Sequence, residues 1–246
     1  MSVLLAVEGV TKRYRGLTAL SGVSFGVARG ELLVVIGPNG AGKTTLFNVI
    51  TGFARPEEGS IVLAGEAITG LAPHAIVRRG LARTFQIPRP FKSLTVGESV
   101  ELARASDAGA VLGVSGRGDA VQRVLRLVQL WERRHEEAGT LSQGDLKLLE
   151  AARALATNPA LLLLDEPYAG LGPAEMARLT RVIMDLHSAG LALVIIEHKL
   201  RELMKLTRRV VVLHYGEKLA DGPPAEVSRD ARVLEAYMGG RGAAYA

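Results

Sequence analysis

The chain contains no cysteine, which excludes disulfide staples, thiolate metal centres and a cysteine nucleophile. Aromatic residues occupy 4% of its 246 positions, with a single Trp, leaving few rings on which nucleobases could stack. Long apolar runs are absent too: residues 160–164 and 191–196 fall far short of the ~20 that span a bilayer. Charge of one sign is scarce, since 30 Lys and Arg against 25 Asp and Glu leave only +5, with arginines in scattered pairs rather than runs. No nucleic-acid partner is therefore expected, whereas a docking surface for a membrane-embedded partner or anionic lipid stays open. Glu8 interrupts the N-terminal segment too early for a secretory core, so cytosolic residence is expected.

What is present is an alternation of short aliphatic runs and longer helical patterns. Residues 4–10, 31–36, 161–164, 191–196 and 209–213 read as strands, and the second is apolar throughout, as for a strand buried on both faces. Residues 42–51, 175–188 and 199–206 read as helices between them, the rhythm of an α/β core with a mostly parallel sheet. From about 87 to 157 no strand is expected. Residues 95–105 and 119–130 read as helices there, separated by a Gly/Ser/Asp-rich loop at 106–119. A third helix starts at Ser142 as N-cap and stops before Asn158-Pro159. Residues 239–246 read as a fraying tail, and Trp131 and Met204 as core.

Directly after the buried strand comes Gly37-Pro38-Asn39-Gly40-Ala41-Gly42-Lys43-Thr44-Thr45, with the spacing of a phosphate-binding loop. Glycines let backbone N–H groups converge on phosphate oxygens, and the helix that follows adds its positive end. Lys43 would reach the β- and γ-phosphates and Thr44 would offer its hydroxyl to Mg²⁺. The run Leu161–Leu164 delivers Asp165 to the carboxyl end of a strand, where ligands bind in open α/β sheets. Asp165 is the expected Mg²⁺ partner, and Glu166 is placed to orient or deprotonate an attacking water.

At this point the whole chain resembles the ATP-binding subunits of ABC transporters. Walker A is residues 37–44 and Walker B residues 161–165. Leu141-Ser142-Gln143-Gly144-Asp145 looks like the signature, Thr84-Phe85-Gln86 like the Q-loop and Glu197-His198 like the switch histidine. Tyr14 stands where the family places a ring against adenine. Residues 45–53, 81–86, 210–216 and 233–239 look more narrowly like the LivG branch, the ATPases of branched-chain amino acid importers.

The resemblance implies one ABC ATPase domain over 1–246, with a P-loop (RecA-like) α/β core at 1–86 and 158–246, an N-terminal antiparallel β subdomain, and an α-helical signature subdomain at 87–157. It implies Glu166, His198 and Gln86 as catalytic residues, and Thr44, Gln86 and Asp165 around Mg²⁺. Tyr14, Gly37 to Thr45 and, from a second subunit, Ser142 and Gly144 would hold ATP. The implied assembly pairs this chain with another ABC ATPase, identical or LivF-like, on two transmembrane permeases. It is fed by an extracytoplasmic solute-binding protein and sits at the cytoplasmic face of the inner membrane. Pro88, Pro90 and Phe91 are candidates for the groove that receives a permease helix. Other small solutes, such as amides or urea, and a non-transport ABC ATPase are the alternative readings.

Asp145 departs from the signature's Gln and is expected to face solvent or a backbone donor, so that Asp145→Gln should leave activity unchanged or raise it. The D-loop stretch Ala169-Gly170-Leu171-Gly172 lacks the family's Asp, as is common in the LivG branch. His74, His135, His187 and His214 have no partner pattern and read as surface or structural.

Overall fold

A computed structural model describes residues 2–105, 117–197 and 206–242. The chain divides into two compact units, one formed by Met1–Pro73 with Ala192–Ala246 and the other by His74–Leu191.

In the first unit β1 (Val3–Tyr14) and β2 (Leu17–Ala28) form a long hairpin, joined by β4 (Glu58–Leu63) and β5 (Glu66–Ala67) in an antiparallel sheet ordered β2-β1-β4-β5. Leu5 and Val7 alternate inward, a register shift after Val7 resets the phase so that Val10 is buried as well, and Glu8 and Gly9 lie exposed between them. A second sheet carries β3 (Leu32–Ile36) between β8 (Ala192–Ile196) and β9 (Arg209–His214), both parallel to it, with β10 (Glu217–Gly222) antiparallel at the edge. Every residue of β3 and β8 is buried, which is why both read as unbroken aliphatic runs. Helix α1 (Lys43–Ile50) follows β3 and buries Leu46, Phe47, Val49 and Ile50. The unit ends with α7 (Pro224–Val227) and α8 (Ala231–Gly242).

In the second unit β6 (Leu81–Arg83) runs parallel to β7 (Leu161–Asp165), beside α2 (Pro73–Arg78), α3 (Val96–Ala105), α4 (Arg117–Leu127), α5 (Gln143–Ala156) and α6 (Pro173–Ser188). Val96, Val100, Leu125, Val128, Leu149 and Ala152 are buried, and their helical spacing explains the packing of the middle of the chain. Ser142 caps α5 as expected, its hydroxyl accepting from the Asp145 N–H.

Several expectations are corrected. The first strand runs to Tyr14 rather than stopping at 10, because it pairs with two neighbours along its length. Residues 117–119 begin α4 instead of ending a loop, and 239–242 continue α8 instead of fraying. Trp131 is not core: it is half-buried, with the guanidinium of Arg134 4.3 Å and that of Arg126 5.9 Å from its ring. The helix expected at 199–206 and Met204 fall outside the described residues, apart from Leu206.

Candidate nucleotide site

The first unit builds the phosphate loop. Gly37 must be glycine because a Cβ there would run into the Leu213 carbonyl of β9, and Gly42 (φ +99°) because its Cβ would stand 2.6 Å from the Ala19 carbonyl. The turn after β9 props the loop from behind: the Gly216 N–H donates to the Ala41 carbonyl at 3.1 Å, and the Ser21 N–H to the Gly216 carbonyl at 2.8 Å. This gives the 210–216 stretch a physical role beside the loop.

Lys43, 6% exposed, arches back over the loop and donates to the carbonyls of Gly37 (2.7 Å) and Pro38 (2.9 Å). Asn39, Gly40 and Thr44 are exposed, Pro38, Gly42 and Thr45 half-buried, and Ala41 buried. No side chain caps the start of α1 and its first turn carries no acid among the described residues, so its leading N–H groups and dipole suit an anion. Tyr14 ends β1, 43% exposed, with the Lys12 ammonium 4.9 Å from its ring centre. An open ring face at a strand end can stack on a flat ligand. Pro38 to Ala41 also line a cavity of about 680 Å³ with His214, Tyr215 and Arg232.

The second unit gathers the carboxylates. Asp165 is 3% exposed at the end of β7, and its Oδ2 accepts from Arg83 Nη2 at 2.7 Å. Glu166 follows in the left-handed region (φ +45°), an uncommon conformation for a residue with a side chain. Gln86, exposed, donates from Nε2 to Glu166 Oε2 at 2.6 Å, so two residues picked from separate motifs meet.

Lys147 and Glu150, both on α5, hold the backbone around this pair, and nothing in the sequence singled them out. The buried Lys147 ammonium donates to the carbonyls of Gln86 and Glu166, and Glu150 Oε1 accepts the Phe85 N–H at 2.9 Å. Burial pushes the Glu150 carboxyl above its ordinary range despite that hydrogen bond and the nearby Lys147. The i, i+3 spacing of a Lys and a Glu in a helix is too common to have revealed them.

The signature turn heads the same helix. Ser142 is exposed, and its hydroxyl donates to Asp145 Oδ2 at 2.7 Å. Gly144 is buried and donates its N–H to Glu175 Oε1 at 3.0 Å. Asp145 does not face solvent: it is 5% exposed, and Arg133 and Arg178 both donate to it. Burial pushes its carboxyl up, but the Ser142 hydroxyl and the two guanidiniums outweigh this and hold it below its ordinary value. His198 lies outside the described residues.

The donors around the loop and the carboxylates suit a magnesium ion better than a softer metal. Each unit supplies hard oxygen donors of its own, the Thr44 hydroxyl in the first and the Asp165 carboxylate and Gln86 amide oxygen in the second.

Comparison with known proteins gives the family. The family model described as ABC transporter matches residues 20–169, and one described as branched-chain amino acid ATP-binding cassette transporter matches 217–243. The chain is 39% identical to the high-affinity branched-chain amino acid transport ATP-binding protein BraF of Pseudomonas aeruginosa, over 96% of this chain and 98% of that one. It is 37% identical to a probable LivG of Archaeoglobus fulgidus, over 96% and 95%. Its fold is similar to the ADP conformation of MJ1267, an ATP-binding cassette of an ABC transporter, at a TM-score of 0.87 and 32% identity over 97% of this chain and all of that one. It is also similar to the dimeric bacterial cassette MJ0796, at 0.78 and 25% over 90% and 99%. The family match over residues 20–169 and the likeness along nearly the whole chain place it together with these proteins: the chain belongs to the ABC transporter family of ATP-binding subunits, in the LivG/BraF branch.

Proposed function

We propose that this chain is the ATPase of an importer for branched-chain amino acids, working at the cytoplasmic face of the membrane. The match at 217–243, together with full-length likeness to LivG and BraF proteins, is the observation that carries the solute class. No helix among the described residues is long and apolar enough to cross a membrane. In this reading separate permeases carry the solute. The exposed Phe85, Ile87 and Phe91, beside Pro88 and Pro90, would offer them an apolar docking face. An extracytoplasmic binding protein would deliver the solute.

Phosphoryl transfer to water needs positioning and charge neutralisation more than covalent chemistry. Gly37 to Thr45 would cradle the triphosphate through backbone N–H groups, with the Lys43 ammonium turned from its own loop carbonyls to the β- and γ-phosphates, and Tyr14 would stack on adenine. Thr44, Asp165 and the Gln86 side-chain oxygen would hold Mg²⁺, which supplies charge neutralisation at the phosphate oxygens when bound. The Gln86 amide nitrogen supports this division of labour, since it is committed to Glu166 and leaves the oxygen for the other side. Glu166 would accept a proton from the attacking water, held in place by Gln86, and His198 would contact the γ-phosphate.

Ser142 and Gly144 would close over the ATP of a second subunit, identical or LivF-like, so ATP favours the closed dimer and hydrolysis releases it. In this scheme 1–86 and 158–246 form the nucleotide core and 87–157 the helical subdomain that carries the signature.

The experiment is Glu166→Gln in the full-length chain. ATP binding should survive, turnover should fall at least a hundredfold, and ATP should drive a rise in mass by light scattering, with a LivF-like partner if the pair is mixed. Wild-type turnover in that variant would refute the role of Glu166. Uptake of labelled leucine by cells carrying the permease genes tests the solute, and uptake of urea or amides alone would replace it.

A further inference from the structure

The two donors of the signature turn are each tied to α6, and the ties come from residues one helical turn apart. Glu175 takes the Gly144 N–H on Oε1 at 3.0 Å, and its other oxygen, Oε2, takes the Gly172 N–H at 3.2 Å. Arg178 donates to Asp145 Oδ1 at 2.6 Å, and Asp145 Oδ2 in turn receives the Ser142 hydroxyl at 2.7 Å. One carboxylate therefore links the signature turn to the D-loop segment that ends at Gly172.

Gly144 carries a second sign of this link. It does not appear among the positive-φ glycines, so its backbone conformation is open to any residue. What a side chain would displace is Glu175: a Cβ on Gly144 would stand 2.5 Å from Oε1, 2.9 Å from Cδ and 3.0 Å from Cγ, so the carboxylate would have to swing away and give up its bonds. Charge-assisted bonds from two amides hold that carboxylate in place, and its charge also suits the start of α5.

We propose that Glu175 is a positioning residue of the ATPase cycle. It locks the signature turn and the D-loop segment into one piece, which the chain presents as a unit to the nucleotide of a second subunit. Within the chain, a side chain at 144 would already displace Glu175. This inference rests on the function proposed above, in which Ser142 and Gly144 act in trans.

Full-length wild type, Glu175→Ala, Glu175→Gln, Gly144→Ala and the double variant Gly144→Ala/Glu175→Ala test it, each with its co-expressed partner subunits. ATPase turnover and affinity for a fluorescent ATP analogue are measured on each. Glu175→Ala should lower kcat about tenfold while leaving the analogue's Kd within about twofold, because these bonds of Glu175 run only to the backbone of its own chain. Gly144→Ala should lower kcat by a similar factor whatever it does to the Kd, since Gly144 itself would close over the second subunit's nucleotide. The double variant should be no slower than the slower single, since both changes break one contact, and Glu175→Gln, which keeps an acceptor oxygen, should recover part of the loss.

A double variant slowed about a hundredfold would mean that glycine and glutamate act independently and would overturn the proposal. So would a Glu175→Ala turnover within about twofold of wild type, or a loss of analogue binding in that variant that reveals only a damaged fold. A wild type that neither binds nor hydrolyses ATP would overturn the function itself. A wild type that does both, beside a Glu175→Ala variant that matches it, overturns only the role of Glu175.

Discussion

Gln86 Nε2 donates to Glu166 Oε2 at 2.6 Å, and the carbonyls of these same two residues both accept from Lys147. Side chains and backbone are thus fastened at both ends, which keeps Glu166 in its left-handed conformation. Lys147→Met retains the length of the side chain but removes the ammonium, leaving both carbonyls short of a buried donor at a cost of about 1–3 kcal/mol. Turnover should fall about tenfold with nucleotide affinity kept, because Lys147 fastens the backbone of Gln86 and Glu166. Melting temperature, analogue binding and ATPase rate measured together check this, and an unchanged rate would show that Glu166 does not depend on Lys147.

Lys43 and Gly42 make separable predictions within one loop. Lys43→Ala removes a buried ammonium whose bonds run to two loop carbonyls and should weaken ATP binding at least tenfold with a smaller loss of stability. Gly42→Ala imposes a Cβ 2.6 Å from the Ala19 carbonyl at φ +99°, and should cost about 2 kcal/mol or more of folding stability before binding is considered. Isothermal titration for the first variant and denaturant unfolding for the second distinguish a binding defect from a folding defect.

What was legible in the sequence is what lies close along the chain. The phosphate loop needs one strand, one set of glycines and one helix in immediate succession, and all three stand where the spacing put them. The Ser142 cap is local for the same reason. Arg83 on Asp165 lies 82 residues away from its partner and Lys147 lies 61 from Gln86, and no periodicity reports such pairs. Asp145 shows how the local view misleads. An acid in a surface-facing turn reads as solvated, but Arg133 and Arg178, each unremarkable alone, converge on it from two directions. Trp131 misled in the opposite sense, since it is half-buried with two guanidiniums over its ring.

That ionic cluster gives stability a signed pH dependence. The folded carboxyl titrates below its unfolded value of 3.8, so its contribution is fully present above that value and is lost as pH falls through the lower folded one. Asp145→Asn should therefore be less stable at pH 7 by about 1–3 kcal/mol, the guanidiniums being one-third exposed, and the gap should narrow as pH falls below 3.8 and through the lowered folded value. Urea unfolding from pH 7 to 2.5 reads the difference. A constant gap across that range would assign the loss to packing and not to charge.

Tyr237 predicts a change at the other end of the pH scale. Its hydroxyl is buried toward the Gly37 amide, at the start of the phosphate loop, but outside hydrogen-bonding geometry. Burial pushes the phenol up to about 12 from an ordinary 10.0. The sign follows from the proton balance: above pH 10 the unfolded chain ionises while the folded one resists, so stability falls between the two values. Tyr237→Phe removes a buried hydroxyl that has no partner in good geometry, and should be as stable as wild type or about 0.5–1 kcal/mol more so at pH 7. Its advantage should widen as pH rises past 10, because a phenyl ring carries no proton to lose. Thermal unfolding at pH 7, 9 and 10.5 checks both parts. A destabilised Tyr237→Phe at neutral pH would mean that the hydroxyl does bond the Gly37 amide and that α8 braces the phosphate loop through it.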